Sequence, residues 1–303
     1  MRRRPNVSIL RSLFGEPPAR AEFLPFGEPC LGEEEATEVL DTLRSKWIGM
    51  GPKVARFERE FARYVGARHA IAVDSCTSAL FLSLLASGIG PGDEVITTPF
   101  TLAVTVNVIE HLGATPVFAD IDLPTLNLDP DLVRRAISPR AKAILLVHFG
   151  GLACDLDAIG SIADSAGLAL IEDAAHAVGT RHRGRMIGGT GRLTAFSFYS
   201  NKNLTTGEGG MITTADDSLA GKLETLRLHG LTSDAWKRFT ARGDAGYEAV
   251  TPGYKCNMTD LAASLGIHQL RKQEAFLAVR ARYARCYDDA FGRETPHLLT
   301  WSF

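Results

Sequence analysis

Lys202 has more chemistry within reach than any other residue in this chain. It lies in Phe196-Ser197-Phe198-Tyr199-Ser200-Asn201-Lys202-Asn203-Leu204-Thr205-Thr206-Gly207-Glu208-Gly209-Gly210, where an aromatic strand gives way to a loop of Gly and Thr. A free lysine, with a pKa of about 10.4, is a poor nucleophile at neutral pH. Lodged among aromatic side chains it would lose its proton more readily and could form an imine with an aldehyde. A surface lysine at a strand end is the plain alternative. A second group stands in Ile171-Glu172-Asp173-Ala174-Ala175-His176, with Asp173 at the carboxyl end of a predicted strand. Parallel sheets bind ligands at that edge. A carboxylate there can keep an aromatic ring nitrogen protonated, because adjacent negative charge favours the cation; a solvated Asp fits the position equally. The third is Asp74-Ser75-Cys76-Thr77-Ser78-Ala79-Leu80, where a strand passes into a helix. The free N–H groups of a helix start suit a phosphate, although Ser and Thr also favour such positions simply as caps.

Three groups so far apart in sequence need a scaffold that gathers strand ends. The stretch from 68 to 214 supplies one. Strands are predicted over 70–73, 94–98, 115–119, 143–148 and 168–172, with helices over 75–86, 104–112 and 156–166 between them. The run Ala143-Ile144-Leu145-Leu146-Val147-His148 is apolar enough to be buried on both faces. This alternation predicts an α/β fold, a mostly parallel central sheet wrapped by helices. Near Lys202 the rhythm changes: strands over 195–199 and 211–214 flank the Gly/Thr loop with no room for a crossover helix. A helix over 218–229 follows, placing His229 at its C-terminus before Gly230. Residues 234–252 read as a long loop in which Trp236, Lys237 and Arg238 are candidates to meet a substrate phosphate, or simply to be solvated.

Bulk composition excludes several classes. Of 303 residues, 45% are apolar and 22% charged, and the formal net charge is −2. Such a balance gives no strong attraction to nucleic acid or to acidic membranes. No apolar run approaches the length of a membrane span. The five cysteines are scattered without a C-x-x-C pair. That argues against a disulfide framework or a zinc site and fits a reducing cytosol. Residues 1–22 carry Arg2, Arg3, Arg4, Arg11 and Arg20 with three prolines and are expected to be a disordered leader, with a transit segment as the alternative.

Phosphate-binding helix start, acid and lysine, in that order, match the pyridoxal-5′-phosphate (PLP) enzymes of fold type I. Further segments narrow the match, and the chain resembles the DegT/StrS-type nucleotide-sugar aminotransferases. The carriers are Trp47-Ile48-Gly49-Met50-Gly51-Pro52 with Phe57-Glu58 and Tyr64-Val65-Gly66; Asp74 to Leu80; Thr98-Pro99-Phe100-Thr101 through Asn107; His148-Phe149-Gly150-Gly151; Glu172 to His176; Ser197 to Gly210; and Gly253-Tyr254-Lys255-Cys256-Asn257-Met258-Thr259-Asp260. The resemblance spans about residues 24–290. It implies that Lys202 holds the cofactor as a Schiff base and shuttles a proton between cofactor and substrate. It implies that Asp173 pairs with the pyridine nitrogen and that His176 lies near the phenolic oxygen. The backbone of Thr77 and Ser78, with the Ser197 hydroxyl, would hold the phosphate. Lys255 would reach across a homodimer to the partner's phosphate. Glutamate and a nucleotide-linked keto-sugar are the implied substrates, and the cytoplasm the implied location.

Two departures stand out. Leu102 takes a position where relatives commonly stack Phe or Trp on the cofactor ring. The chain also ends at Phe303, earlier than family members do. The expected organisation is therefore a leader over 1–22, a large PLP-binding domain over 23–250, and an incomplete small C-terminal domain over 251–303. The alternative functions are a relative that binds PLP or a partner without turnover and a sugar dehydratase. The dehydratases resemble this family but carry histidine in place of the lysine.

Overall fold

In the computed structural model, residues 22–231, except Leu24 and Phe26, and residues 248–294 are described. Residues 1–21 of the expected leader and the Trp236-Lys237-Arg238 segment lie outside them. Among the described residues two helices come first, α1 (Glu33–Ser45) and α2 (Pro52–Val65). Pro52, with its φ preset, opens α2 at the first helical position, and Val54, Phe57, Phe61 and Val65 form its buried stripe. Helix α1 was not expected; it buries Glu35 and Thr42 and leaves the apolar Leu40 and Leu43 of its stripe exposed. The alternating part then runs β1 (His69–Val73), α3 (Cys76–Ala86), β2 (Glu94–Thr97), α4 (Ala103–His111), β3 (Thr115–Phe118), α5 (Pro130–Ala136), β4 (Ala141–Val147), α6 (Leu156–Ala166) and β5 (Ala169–Asp173). After it come a short hairpin, β6 (Arg181–His182) with β7 (Arg185–Met186), then β8 (Leu193–Ser197), β9 (Gly210–Thr214), α7 (Asp217–Leu226) and α8 (Asp260–Glu294).

Seven strands form one sheet in the order β1-β9-β8-β5-β4-β2-β3. Pairing is parallel from β8 through to β3, as expected. Strand β9 runs antiparallel to both β1 and β8. A loop without a helix can join β8 to β9 only because a parallel return would need a crossover.

Side chains alternate across the sheet, and both faces are covered. Ile71, Val73, Leu145, Ile171, Ala195 and Ile212 pack beneath α3, α4 and α7. Their neighbours Ala72, Phe196 and Met211 turn the other way, toward α2 and α8, and Ile144, Leu146 and Leu170 turn toward α5 and α6. Double coverage is why Ala143 to Leu146 are all buried.

One helix is shorter than its sequence suggests. Helix α7 ends at Leu226, three residues before His229, which takes a left-handed φ of 57°. Its N–H donates to the Tyr254 carbonyl at 2.8 Å, while Tyr254 and Cys256 donate to Leu226 and Arg227 at 2.7 and 2.9 Å. The incoming 254–256 strand captures these groups and stops the helix early. The same strand accepts the Asp74 N–H on the Cys256 carbonyl at 2.9 Å, tying Lys255 to the end of β1. Helix α8 begins with buried Asp260, whose carboxylate accepts the N–H groups of Lys53 and Val54 at 3.1 and 2.9 Å. Ala263, Ile267 and Leu270 seat its first turns on Phe57 and Phe61. Among the described residues no helix is long and apolar enough to cross a membrane, and all five cysteines are free.

Candidate active site

Strand parity decides which side chains meet. Leu193 and Ala195 face α3 and α4, so Ser197, two residues further, faces the same way. Ile171 sets the same parity for Asp173 on β5. The chain leaving β1 enters α3 at the same edge. The result is a cavity of about 330 Å³ lined by Ser75, Cys76, Thr77, Leu102, His148, Asp173, His176, Ser197, Tyr199, Lys202 and others.

The start of α3 forms one end of it. Ser75 is the N-cap, its Oγ accepting the Ser78 N–H at 3.1 Å. The capping alternative is therefore true of Ser75, and it consumes the Ser78 N–H. Ser78 is absent from the cavity lining. The N–H groups of Cys76 and Thr77, one turn too early for intrahelical bonds, remain for an anion. Gly210 lets β9 pass close behind this turn: a Cβ there would sit 2.5 Å from the Ser75 carbonyl carbon and 2.8 Å from Cys76 N.

Opposite lies Asp173, 5% exposed. Its Oδ1 accepts the Ala175 N–H and its Oδ2 the Thr105 hydroxyl, each at 3.1 Å. Burial pushes its carboxyl up, opposed by those two donors and by the charge of Lys202. Sequence reasoning missed Thr105. The available signal was a hydroxyl inside the apolar Ala103-Val104-Thr105-Val106 run, since a buried hydroxyl needs a partner.

Lys202 sits on a loop that its own sequence closes. Phe198 donates to the Gly209 carbonyl and accepts from Thr206, both at 2.9 Å. Thr205 Oγ1 donates to the Phe198 carbonyl at 3.1 Å, and Asn203 donates to Val178 at 2.8 Å. The Lys202 Nζ lies 2.7 Å from His176 Nε2. Burial pushes the amine down, and burial together with the lysine charge pushes His176 down too. Both shifts favour the neutral forms, an imidazole and a free amine in hydrogen-bond contact. Of the aromatic residues expected around this amine, Tyr199 lines the cavity with it, but the two phenylalanines face elsewhere. Phe196 and Phe198 project to the opposite face and meet Phe61, with ring centroids 5.0 and 5.5 Å apart. General burial beside His176, and not an aromatic box, is what depresses the amine.

The remaining predicted residues divide. Leu102, 74% exposed, caps α4 at the cavity rim. Lys255 is exposed, bonds to Asn257 and lies outside this lining. His148 is buried at the end of β4. Its Nδ1 accepts the Cys154 N–H at 3.1 Å, which leaves the ring proton on Nε2, 3.0 Å from Glu172.

An anion-accepting helix start, a buried carboxylate and a depressed amine around one cavity fit a small aromatic cofactor that carries a phosphate and an aldehyde. Comparison with known proteins agrees. Over 281 residues the chain is 55% identical to the spore coat polysaccharide biosynthesis protein SpsC of Bacillus subtilis, covering 93% of this chain and 72% of that protein. Among solved structures, the PLP form of Spr1654 from Streptococcus pneumoniae superposes with a TM-score of 0.81 at 36% identity, over 89% of this chain and 71% of that one. PseC of Helicobacter pylori, an aminotransferase in pseudoaminic acid biosynthesis, gives 0.82 at 30% identity over 89% and 71%. Residues 29–300 match the DegT/DnrJ/EryC1/StrS aminotransferase family, and the chain belongs to that family of PLP-dependent enzymes.

Proposed function

We propose that this protein transfers an amino group from glutamate to a keto carbon of a nucleotide-linked sugar. The observation that carries the reading is the meeting of Lys202, Asp173 and the first turn of α3 in one cavity. Likeness to a protein of polysaccharide biosynthesis supports the sugar substrate. When bound, PLP supplies an electron sink that acidifies the carbon carrying the transferred nitrogen.

The chain's own residues do the rest. The first turn of α3, through the free N–H groups of Cys76 and Thr77, would hold the phosphate together with the Ser197 hydroxyl, while Ser78 stays engaged with the Ser75 cap. Asp173 keeps the ring nitrogen protonated. Lys202, its amine already depressed, anchors the cofactor covalently and carries the proton between carbons. His176 hydrogen-bonds that amine and would face the phenolic oxygen. Leu102 covers one ring face. Lys255 serves the partner's site in a cytoplasmic homodimer. Glutamate leaves as 2-oxoglutarate and the keto-sugar leaves as the amino-sugar.

Borohydride reduction of the PLP-loaded protein, followed by peptide mass spectrometry, tests the anchor, and spectral change with glutamate tests the donor. The expected label is on Lys202 and vanishes in Lys202→Ala. A label on another lysine, or no release of 2-oxoglutarate, would overturn the proposal.

A further inference from the structure

Asp173 cannot hold itself. Its carboxylate is buried, and burial alone favours the protonated form, which has no charge to offer a ring nitrogen. Two donors oppose this. The Ala175 N–H is part of the turn that follows β5 and comes with the backbone. The other donor is a side chain from a different element: Thr105 on α4, itself fully buried.

With Asp173 ionised, the proton direction in this contact is set. Thr105 Oγ1 lies 3.1 Å from Asp173 Oδ2 and 2.9 Å from Thr101 Oγ1. A hydroxyl has one proton, and an ionised carboxylate only accepts. Thr105 therefore donates to Asp173 and accepts from Thr101. The chain Thr101→Thr105→Asp173 is polarised toward the carboxylate, and each link strengthens the next. Protonation of Oδ2 would reverse it.

We propose that Thr105 is the positioning residue for Asp173, its hydroxyl keeping the carboxylate ionised and fixed toward the ring nitrogen of the bound cofactor. This rests on the reading of Asp173 as the partner of that nitrogen. Without the Thr105 donor the carboxylate becomes the stronger base and draws the shared proton off the ring. A purely structural hydroxyl would leave that proton where it was.

The test loads the protein with PLP labelled with nitrogen-15 in the ring and compares Thr105→Val, Thr105→Ser and Asp173→Asn. The readouts are the nitrogen chemical shift and the PLP dissociation constant. Thr105→Val should move the shift toward the unprotonated value and weaken binding roughly tenfold, the scale of one charge-assisted hydrogen bond. Thr105→Ser should restore both. If Thr105→Val melts much below the parent in the apo form, Thr101→Val, which breaks only the outer link, should give the same change in smaller measure. A parent-like shift and affinity in Thr105→Val, or in Thr101→Val where that stands in, with both changed in Asp173→Asn, overturns the role of Thr105 alone. No change in Asp173→Asn either would remove the reading beneath it.

Discussion

Replacing Gly210 by Ala perturbs the proposed phosphate end of the cavity without removing a polar group. The new Cβ would lie 2.5, 2.6 and 2.8 Å from Ser75 C, Ser75 O and Cys76 N. Ordinary contact begins near 3.4 Å, so the backbones must part by about 0.9 Å. All three neighbours are main-chain atoms, so no side chain can swing aside. Helix α3 cannot slide freely either, because Ala79, Leu80, Leu82 and Leu84 are locked into the core. Overpacking of this kind costs roughly 1–3 kcal/mol, a fall in Tm of several degrees. The same shift would stretch N–H contacts to a phosphate beyond the usual range, with roughly tenfold weaker PLP binding. Calorimetry of the apo protein and a PLP titration read the two effects. Gly221→Ala is the internal control: Gly221 lies in α7 with nothing within 4 Å of its Cβ position, so alanine there should stabilise by about 0.5–1 kcal/mol. Equal melting and binding for Gly210→Ala and the parent would refute the argument.

Other outcomes follow from particular contacts. Burial alone would raise the Glu38 carboxyl, but hydrogen bonds from Lys53 and His268 and the charges of Lys53 and Arg56 hold it down to about 2. Its stabilisation, roughly 1–2 kcal/mol after solvent screening of a partly exposed group, is complete above its unfolded value near 4.5 and is lost as pH falls toward 2. Glu38→Gln should flatten that acid limb in denaturation measured against pH. Asp260→Ala removes the acceptor of two N–H groups at the start of α2 and should cost about 1–2 kcal/mol in urea denaturation. Ser75→Ala uncaps α3 and should cost about 1 kcal/mol, with weaker PLP binding in the same titration.

Much of this protein was legible in the chain itself. The β/α alternation from 68 to 214 and the continuous apolar run of β4 are local patterns. They arise because a doubly covered parallel sheet needs apolar strands and crossover helices. The Gly/Thr loop after β8 announced its antiparallel return by being too short for a helix. The order of helix start, acid and lysine marked the cofactor chemistry, since each residue type stands at a strand end. What needed the tertiary structure was side-chain direction and the pairing of distant groups. Phe196 and Phe198 read as neighbours of Lys202, yet strand parity turns them to the other face. Thr105 reaches Asp173 across 68 residues of sequence, and His176 meets Lys202 across 26. Helix α1 buries Glu35 and Thr42 and leaves Leu40 and Leu43 exposed, so which of its faces is covered is decided by packing. Periodicity reports which face of an element is apolar; what occupies the space opposite is decided when the elements close on one another.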